Sequence, residues 1–285
     1  MVTTTEDNNH VPRITGTLRA HSIQVPDIIY QAKGMVVMGR RIKSIVFSTD
    51  VAIIRNCNAD AVLAVYPFTP QQAISQAIIS AAVSPVFVGV GGGTTRGMRS
   101  VVIAQDAEAQ GAFGVVVNSP MSNSNIRLIR RVIDVPIIAT VATEGENIQA
   151  RLDAGATILN VAAGAKTAKV VRDIRKDFPK VPIIATGGRT DESIQETIDA
   201  GANSIVYTPP SNAQIFGDMM ADYRQLKTKN PEFHFRTSDT SRDAVHDFFE
   251  LFHGTHTGYD IPDDVEHDGA PQPPQDATTQ APQDK

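Results

Sequence analysis

Between residues 22 and 233 the chain has no histidine; all seven, His10, His21, His234, His246, His253, His256 and His267, lie outside that stretch. An interior without imidazole has no Ser–His nucleophile, no histidine-ligated metal and no imidazole base. His253 and His256 lack the two further ligands of a zinc site and suit a polar helix end. Tryptophan is absent, and the single Cys57 excludes an intramolecular disulfide and fits a reducing, cytoplasmic setting. Apolar runs are broken by Gln, Ser, Pro and Gly short of the ~18–20 residues of a membrane span. Residues 1–12, MVTTTEDNNHVP, are polar and acidic, with none of the basic and apolar regions of a signal peptide, and are expected to be disordered. There is no excess of positive charge either. The net charge is −5, and residues 261–285 alone carry six acids and one lysine, which leaves 25 acids and 25 bases in the rest. A neutral body without a basic stripe argues against a nucleic-acid partner. The tail, rich in Pro, Gln and Asp, cannot bury enough apolar surface to fold and reads as disordered.

What is present is regular alternation. Short β-branched runs occur at 44–50, 61–67, 85–92, 114–120, 136–143, 157–163, 182–188 and 204–210, and each precedes a stretch of helical period such as PQQAISQAIISAA or AKVVRDIRKDF. Near-continuous apolar strands between amphipathic helices describe a parallel sheet covered on its faces. Eight units over residues 44–227 predict an α/β protein, a closed (β/α)8 TIM barrel; a doubly wound open sheet is the alternative. Residues 13–43 form an extension, with a short helix in PDIIYQAKG closing the bottom of the barrel and a short strand MVVMG after it. Residues 228–260 form another. Its stretch 241–252 sets Ala244, Val245, Phe248, Phe249 and Phe252 on one helical face, which either docks on the barrel or meets another chain, so a homo-oligomer is possible.

The barrel contains a repeat. VPIIATVATEGENIQARLDAGA (135–156) aligns without a gap on VPIIATGGRTDESIQETIDAGA (181–202), and 13 of the 22 positions are identical. Its period of 46 residues is two strand–helix units. Thr143 with Glu146, and Thr190 before Asp191 and Glu192, read as helix caps, and Gly155 and Gly201 as left-handed helix ends. The shared residues are therefore scaffold. The differing ones, VAT against GGR and NVAAGAK against VYTPPSN, fall where strands end, on the face where such barrels place chemistry. Because Val141 and Ala142 carry side chains where the second copy has Gly187 and Gly188, the scaffold is expected to tolerate Gly188→Ala, provided that residue needs no positive φ.

The strand ends supply the candidate site. Asp50 closes the first strand as either a general base or an N-cap carboxylate. Lys166 follows the sixth strand near a helix start, as an anion ligand or amine nucleophile, or as a solvated lysine. Glu144 faces the pocket or is a first-turn acid, while Glu146 is assigned to its capping box. Asn118 and Asn160 orient a substrate or tie loops. Gly187 and Gly188 bring amides near an anion, as do Ser211 and Asn212 at the start of the last helix. The loop GVGGGTTRG offers Gly92, Gly93 and Thr94 as a second cradle, a mobile lid or a simple turn. Lys43, before the first strand, is structural.

Residues 181–213, VPIIATGGRTDESIQETIDAGANSIVYTPPSNA, resemble the last two units of the ribulose-phosphate-binding and aldolase-type barrels. The whole chain is also similar to a family of bacterial barrels often labelled hydrolases, although its residues show no hydrolytic apparatus. The first resemblance implies phosphate ligands at Gly187, Gly188 and the loop of Thr208 and Ser211. Pro209 and Pro210 depart from the Gly-Ser or Gly-Thr of many such barrels and remove two N–H donors. The resulting expectation is a metal-independent enzyme without cofactor that acts on a small phosphorylated molecule, as an isomerase, epimerase or carbon–carbon lyase. Asp50 with Lys166 or Glu144 would transfer protons. The alternatives are a hydrolase, an FMN-binding oxidoreductase and a non-catalytic sensor of a phosphorylated ligand.

Overall fold

The computed structural model describes residues 23–229. The chain divides into two compact units at Ala221/Asp222, and the barrel belongs to the first. The extension helix 241–252, the seven histidines, residues 1–12 and the tail 261–285 lie outside the described residues.

All eight barrel strands form where the apolar runs place them: β3 (Ser44–Phe47), β4 (Ala61–Ala64), β5 (Val86–Gly91), β6 (Gly114–Val117), β7 (Ile137–Val141), β8 (Ile158–Val161), β9 (Ile183–Thr186) and β10 (Ser204–Tyr207). Each pairs in parallel with its sequence neighbour, and β10 pairs with β3 to close the barrel. Both faces are buried because alternate residues serve two cores. Ile45, Leu63, Phe87, Val116, Ile138, Ile158, Ile184 and Val206 fill the lumen. Val46, Val62, Val88, Val115, Leu159 and Ile205 face outward to the helices. The helices are α1 (Val51–Arg55), α2 (Gln72–Ala81), α3 (Met98–Ala109), α4 (Asn123–Arg130), α5 (Ile148–Asp153), α6 (Thr167–Asp177), α7 (Asp191–Asp199) and α8 (Asn212–Lys229).

The expected closing helix is a 3-10 turn, Asp27–Gln31, and the expected strand is half of a hairpin, β1 (Met35–Val37) with β2 (Arg40–Ile42). Met35, Val37 and Ile42 join the lumen core and plug the bottom, and exposed Arg40 and Arg41 hid the second strand from a hydrophobic reading. Lys43 donates to Tyr30 O (2.5 Å) at this end, as a structural residue.

Gly155 and Gly201 adopt positive φ, 110° and 107°, as helix ends. Each also packs against an arginine of the preceding helix: a Cβ would stand 2.7 Å from Arg130 Cγ and 2.9 Å from Arg175 Cγ. The Arg175 guanidinium donates to Gly201 O (2.8 Å), Val181 O (2.5 Å) and Asn203 Oδ1 (2.5 Å). Asn203 Oδ1 also accepts from Ile183 N (3.0 Å), so one arginine ties α6, the α6–β9 loop and β9 together. Burial holds its pKa below the usual guanidinium value. Arg175→Ala strands several carbonyls and should cost about 1–3 kcal/mol, whereas exposed Lys180→Ala should stay within about 0.5 kcal/mol. Urea midpoints of the two variants compare them, and equal values would remove Arg175 from the scaffold.

Candidate active site

In-facing positions alternate, so the residues two beyond Val116, Ile138 and Ile158 also point to the barrel axis, at its C-terminal mouth. They are Asn118, Thr140 and Asn160. Asn160 donates from Nδ2 to Thr140 Oγ1 (3.3 Å), and Thr140 donates to Asn118 Oδ1 (3.4 Å), a polar row across three adjacent strands. Asn160 is 6% exposed, and its Oδ1 has no hydrogen-bond partner. Thr140 was missed from the sequence, although its place two residues after Ile138 marks it.

Beside this row lies a cleft of about 200 Å³, lined by Val65, Tyr66, Gly89, Gly92, Thr94 and Asn118 among others. The glycine loop above it is tied down. Gly92 N donates to Thr95 O (2.9 Å), Gly93 N to Pro120 O (3.0 Å) and Thr95 N to Gly92 O (3.1 Å). A Cβ on Gly92 would meet Asn118 O at 2.7 Å, so close backbone approach explains this glycine. Exposed Thr94 stands at the rim.

Across the mouth, Glu144 accepts from Lys169 Nζ (3.0 Å) and Lys166 Nζ (3.4 Å). The hydrogen bond from Lys169, followed by the charge of Lys166, holds the exposed Glu144 carboxyl below the usual carboxylate range. These pairs therefore persist above that lowered value and are lost as the pH falls through it. Lys169 was also missed, though it stands three residues after Lys166.

The capping box expected of Thr143 and Glu146 does not form. Glu146 Oε1 accepts from Ala142 N (2.9 Å), and Oε2 pairs with Arg151 (3.4 Å). Asn147 caps the helix instead, so α5 starts three residues later in the repeat frame than α7, which Thr190 caps as expected. The missing turn leaves a cavity of about 310 Å³ outside the barrel, between the Thr143–Gln149 segment and α6.

Asp50 spends both oxygens. Oδ1 accepts from Ala52 N (2.8 Å) and Ile53 N (3.3 Å), and Oδ2 accepts from Asn212 Nδ2 (2.6 Å). Of the two readings weighed for it, these bonds describe the cap. Ser211 N and Oγ meet Gln214 Oε1 (2.9 and 3.0 Å), and Gln214 N returns to Ser211 Oγ (3.3 Å). Thr208 is exposed just past β10. Among the described residues no hydrogen bond or ion pair joins Asp50 to Lys166, or Gly187 and Gly188 to Ser211.

The chain matches no protein-family model and no curated protein. Solved structures do resemble it. Phosphonopyruvate hydrolase has 14% identity and a TM-score of 0.52, with 83% of this chain and 93% of that one covered. The same enzyme with oxalate and Mg++ gives 14% and 0.51, covering 74% and 90%. A 2,3-dimethylmalate lyase of the PEP mutase/isocitrate lyase superfamily gives 13% and 0.51, covering 79% and 92%. The chain is a TIM barrel. At these identities the likeness concerns the fold of this barrel, and its site must be judged on its own residues.

The Mg++ of that complex poses one test. Magnesium takes one or two carboxylates with free lone pairs and keeps several waters. At this TIM barrel's mouth Asp50 is bound to three N–H donors, Glu144 to two lysines and Glu146 to an amide and an arginine. Among the described residues no three of His, Cys, Asp and Glu gather as a metal site. This donor set does not fit the ion.

Gly188 has φ 91°, and its Cβ would stand 2.3 Å from Ser193 Oγ. The condition attached to the tolerance of alanine is therefore not met: Gly188 needs positive φ, where the second copy draws the start of α7 against the strand. Gly188→Ala should lose about 1–3 kcal/mol, read from thermal melts beside Ala142→Gly. A neutral alanine variant would contradict the positive φ.

Proposed function

We propose that the chain is a metal-independent enzyme acting on a small phosphorylated substrate at the barrel mouth, by isomerase, epimerase or carbon–carbon lyase chemistry. The buried, partnerless Asn160 Oδ1 carries this reading. A buried acceptor without a donor costs about 1–3 kcal/mol, and an apolar side chain of similar size would avoid that cost. A substrate hydroxyl donating to this oxygen, with the substrate aligned along Asn118 and Thr140, would account for the amide. The Glu144–Lys166 pair offers a carboxylate to accept a proton and an ammonium to hold an anionic group, which suits proton abstraction beside a carbonyl in a phosphorylated substrate. Asp50, engaged by three donors, is assigned to the scaffold. Phosphonopyruvate, which names one neighbour, is itself a small phosphorus oxyanion, and another neighbour is named a lyase.

The test is a melting screen against small phosphate esters and phosphonates, with hits followed by proton NMR in D2O. At 100 times its dissociation constant a true ligand stabilises by about 2.7 kcal/mol, several degrees at this chain length. Asn160→Leu should melt at or above the parent temperature and lose that shift. If the leucine variant keeps the shift, or the parent responds to no compound, the reading fails. Exchange of a substrate C–H for deuterium, lost in Glu144→Gln, would place the chemistry.

A further inference from the structure

The position of the phosphate was expected over β9 and β10, at the starts of α7 and α8. Each of those helix ends already holds negative charge. α7 carries Asp191 and Glu192 in its first turn, and Glu192 bonds back to its own amide and to Thr190, which draws its pKa down. At α8 the Asp50 carboxylate lies 2.6 Å from Asn212 Nδ2, and the Ser211 amide and hydroxyl are engaged by Gln214. A phosphate in either place faces a carboxylate in a position that favours anions, and gains no compensating cation from the helix.

α6 is the reverse. It has no acid in its first turn and no side-chain cap, and two lysines stand at its start, Lys166 and Lys169, against the sense of the helix dipole. The 3-10 turn Gly164–Lys166 leads into it, and the first bond of that turn runs from Lys166 N to Ala163 O (3.2 Å). The amides of Gly164 and Ala165 precede that bond and have no helical acceptor. An acid from another strand end, Glu144, already sits between the lysines as an anion would. All three side chains are exposed, and ion pairs of that kind contribute little, so a more highly charged oxyanion can replace the carboxylate. Asn160, whose buried Oδ1 lacks a partner, lies on the inner face of β8 four residues before this turn.

We propose that the substrate phosphate binds over β8, between Lys166, Lys169 and the Gly164–Ala165 amides, displacing Glu144, while a hydroxyl of the same molecule donates to Asn160 Oδ1. This rests on the phosphorylated-substrate reading above and deepens it. Glu144 then acts as an internal competitor that keeps the site filled when the substrate is absent. Its release from the lysines on binding frees the carboxylate for proton transfer.

Inorganic phosphate is the probe, titrated into the full chain and followed by melting temperature. The parent should rise with phosphate. Lys166→Met with Lys169→Met should abolish the rise, and Glu144→Gln should reach half-saturation at a severalfold lower concentration, because its competitor is gone. Two paired controls, Arg96→Met with Arg99→Met at the glycine loop and Ser211→Ala with Gln214→Ala at α8, should keep the parent response. A response that survives loss of both lysines but disappears in either control pair overturns the α6 site and leaves the substrate reading intact. So does a Glu144→Gln variant that binds phosphate more weakly. Absence of any response in the parent to phosphate or to the phosphate esters overturns both.

Discussion

Closure of the barrel between β10 and β3 is the constraint on which the rest depends. Ile205 N donates to Lys43 O (2.9 Å), and Val206 lies opposite Ile45, so the sheet has no free edge and its strand register is fixed. Once the register is fixed, alternation decides which side chain of every strand faces the axis. A slip of one residue in β8 would turn Asn160 out among the helices and Leu159 into the lumen. The polar row at the mouth is thus a consequence of closure, and the Asp60, Ser204 and Asn203 bonds at the bottom serve that closure. Asp60 Oδ2 accepts from both Lys43 N and Ser44 N, and Ser204 Oγ donates to Ile42 O (2.8 Å).

The internal repeat shows how one scaffold was given two mouths. Both copies keep the strand core and the left-handed glycine stop. They differ where the helix starts: with Gly188 in its turn, α7 begins after four residues, Gly187–Thr190, while the first copy spends six, Ala142–Asn147, before α5. That longer segment carries Glu144 to the lysines of α6 and Glu146 to Arg151. In the second copy the corresponding Glu192 folds back on its own helix. Two equivalent strands thus end in opposite electrostatic settings.

The strands were legible because burial on both faces forces unbroken β-branched runs, and the helix stops because only glycine suits their φ. The start of α5 was not legible. Thr143 and Glu146 have capping-box spacing, but Glu146 pairs instead with half-buried Arg151, a contact that spacing cannot reveal. Arg130 and Arg175 escaped notice because one extra residue before Val181 breaks the ungapped alignment of the repeat. Within the site, Asn118, Asn160, Glu144 and Lys166 could be named from their strand ends. Their grouping could not, since Asn118 meets Asn160 only through Thr140, and Asp50 turned out to be engaged by the α1 amides and by Asn212, 162 residues away.

On the proposed reading, the Asn118–Thr140–Asn160 row is the surface that binds substrate, with Asn160 Oδ1 as an acceptor. A crystal structure of the chain with a phosphate ester that raises its melting temperature tests it most directly. The expected result is a ligand hydroxyl within hydrogen-bonding distance of Asn160 Oδ1, and the ester's phosphate over the start of α6. A ligand seated elsewhere, with Asn160 unchanged and out of contact with it, would rule this role out.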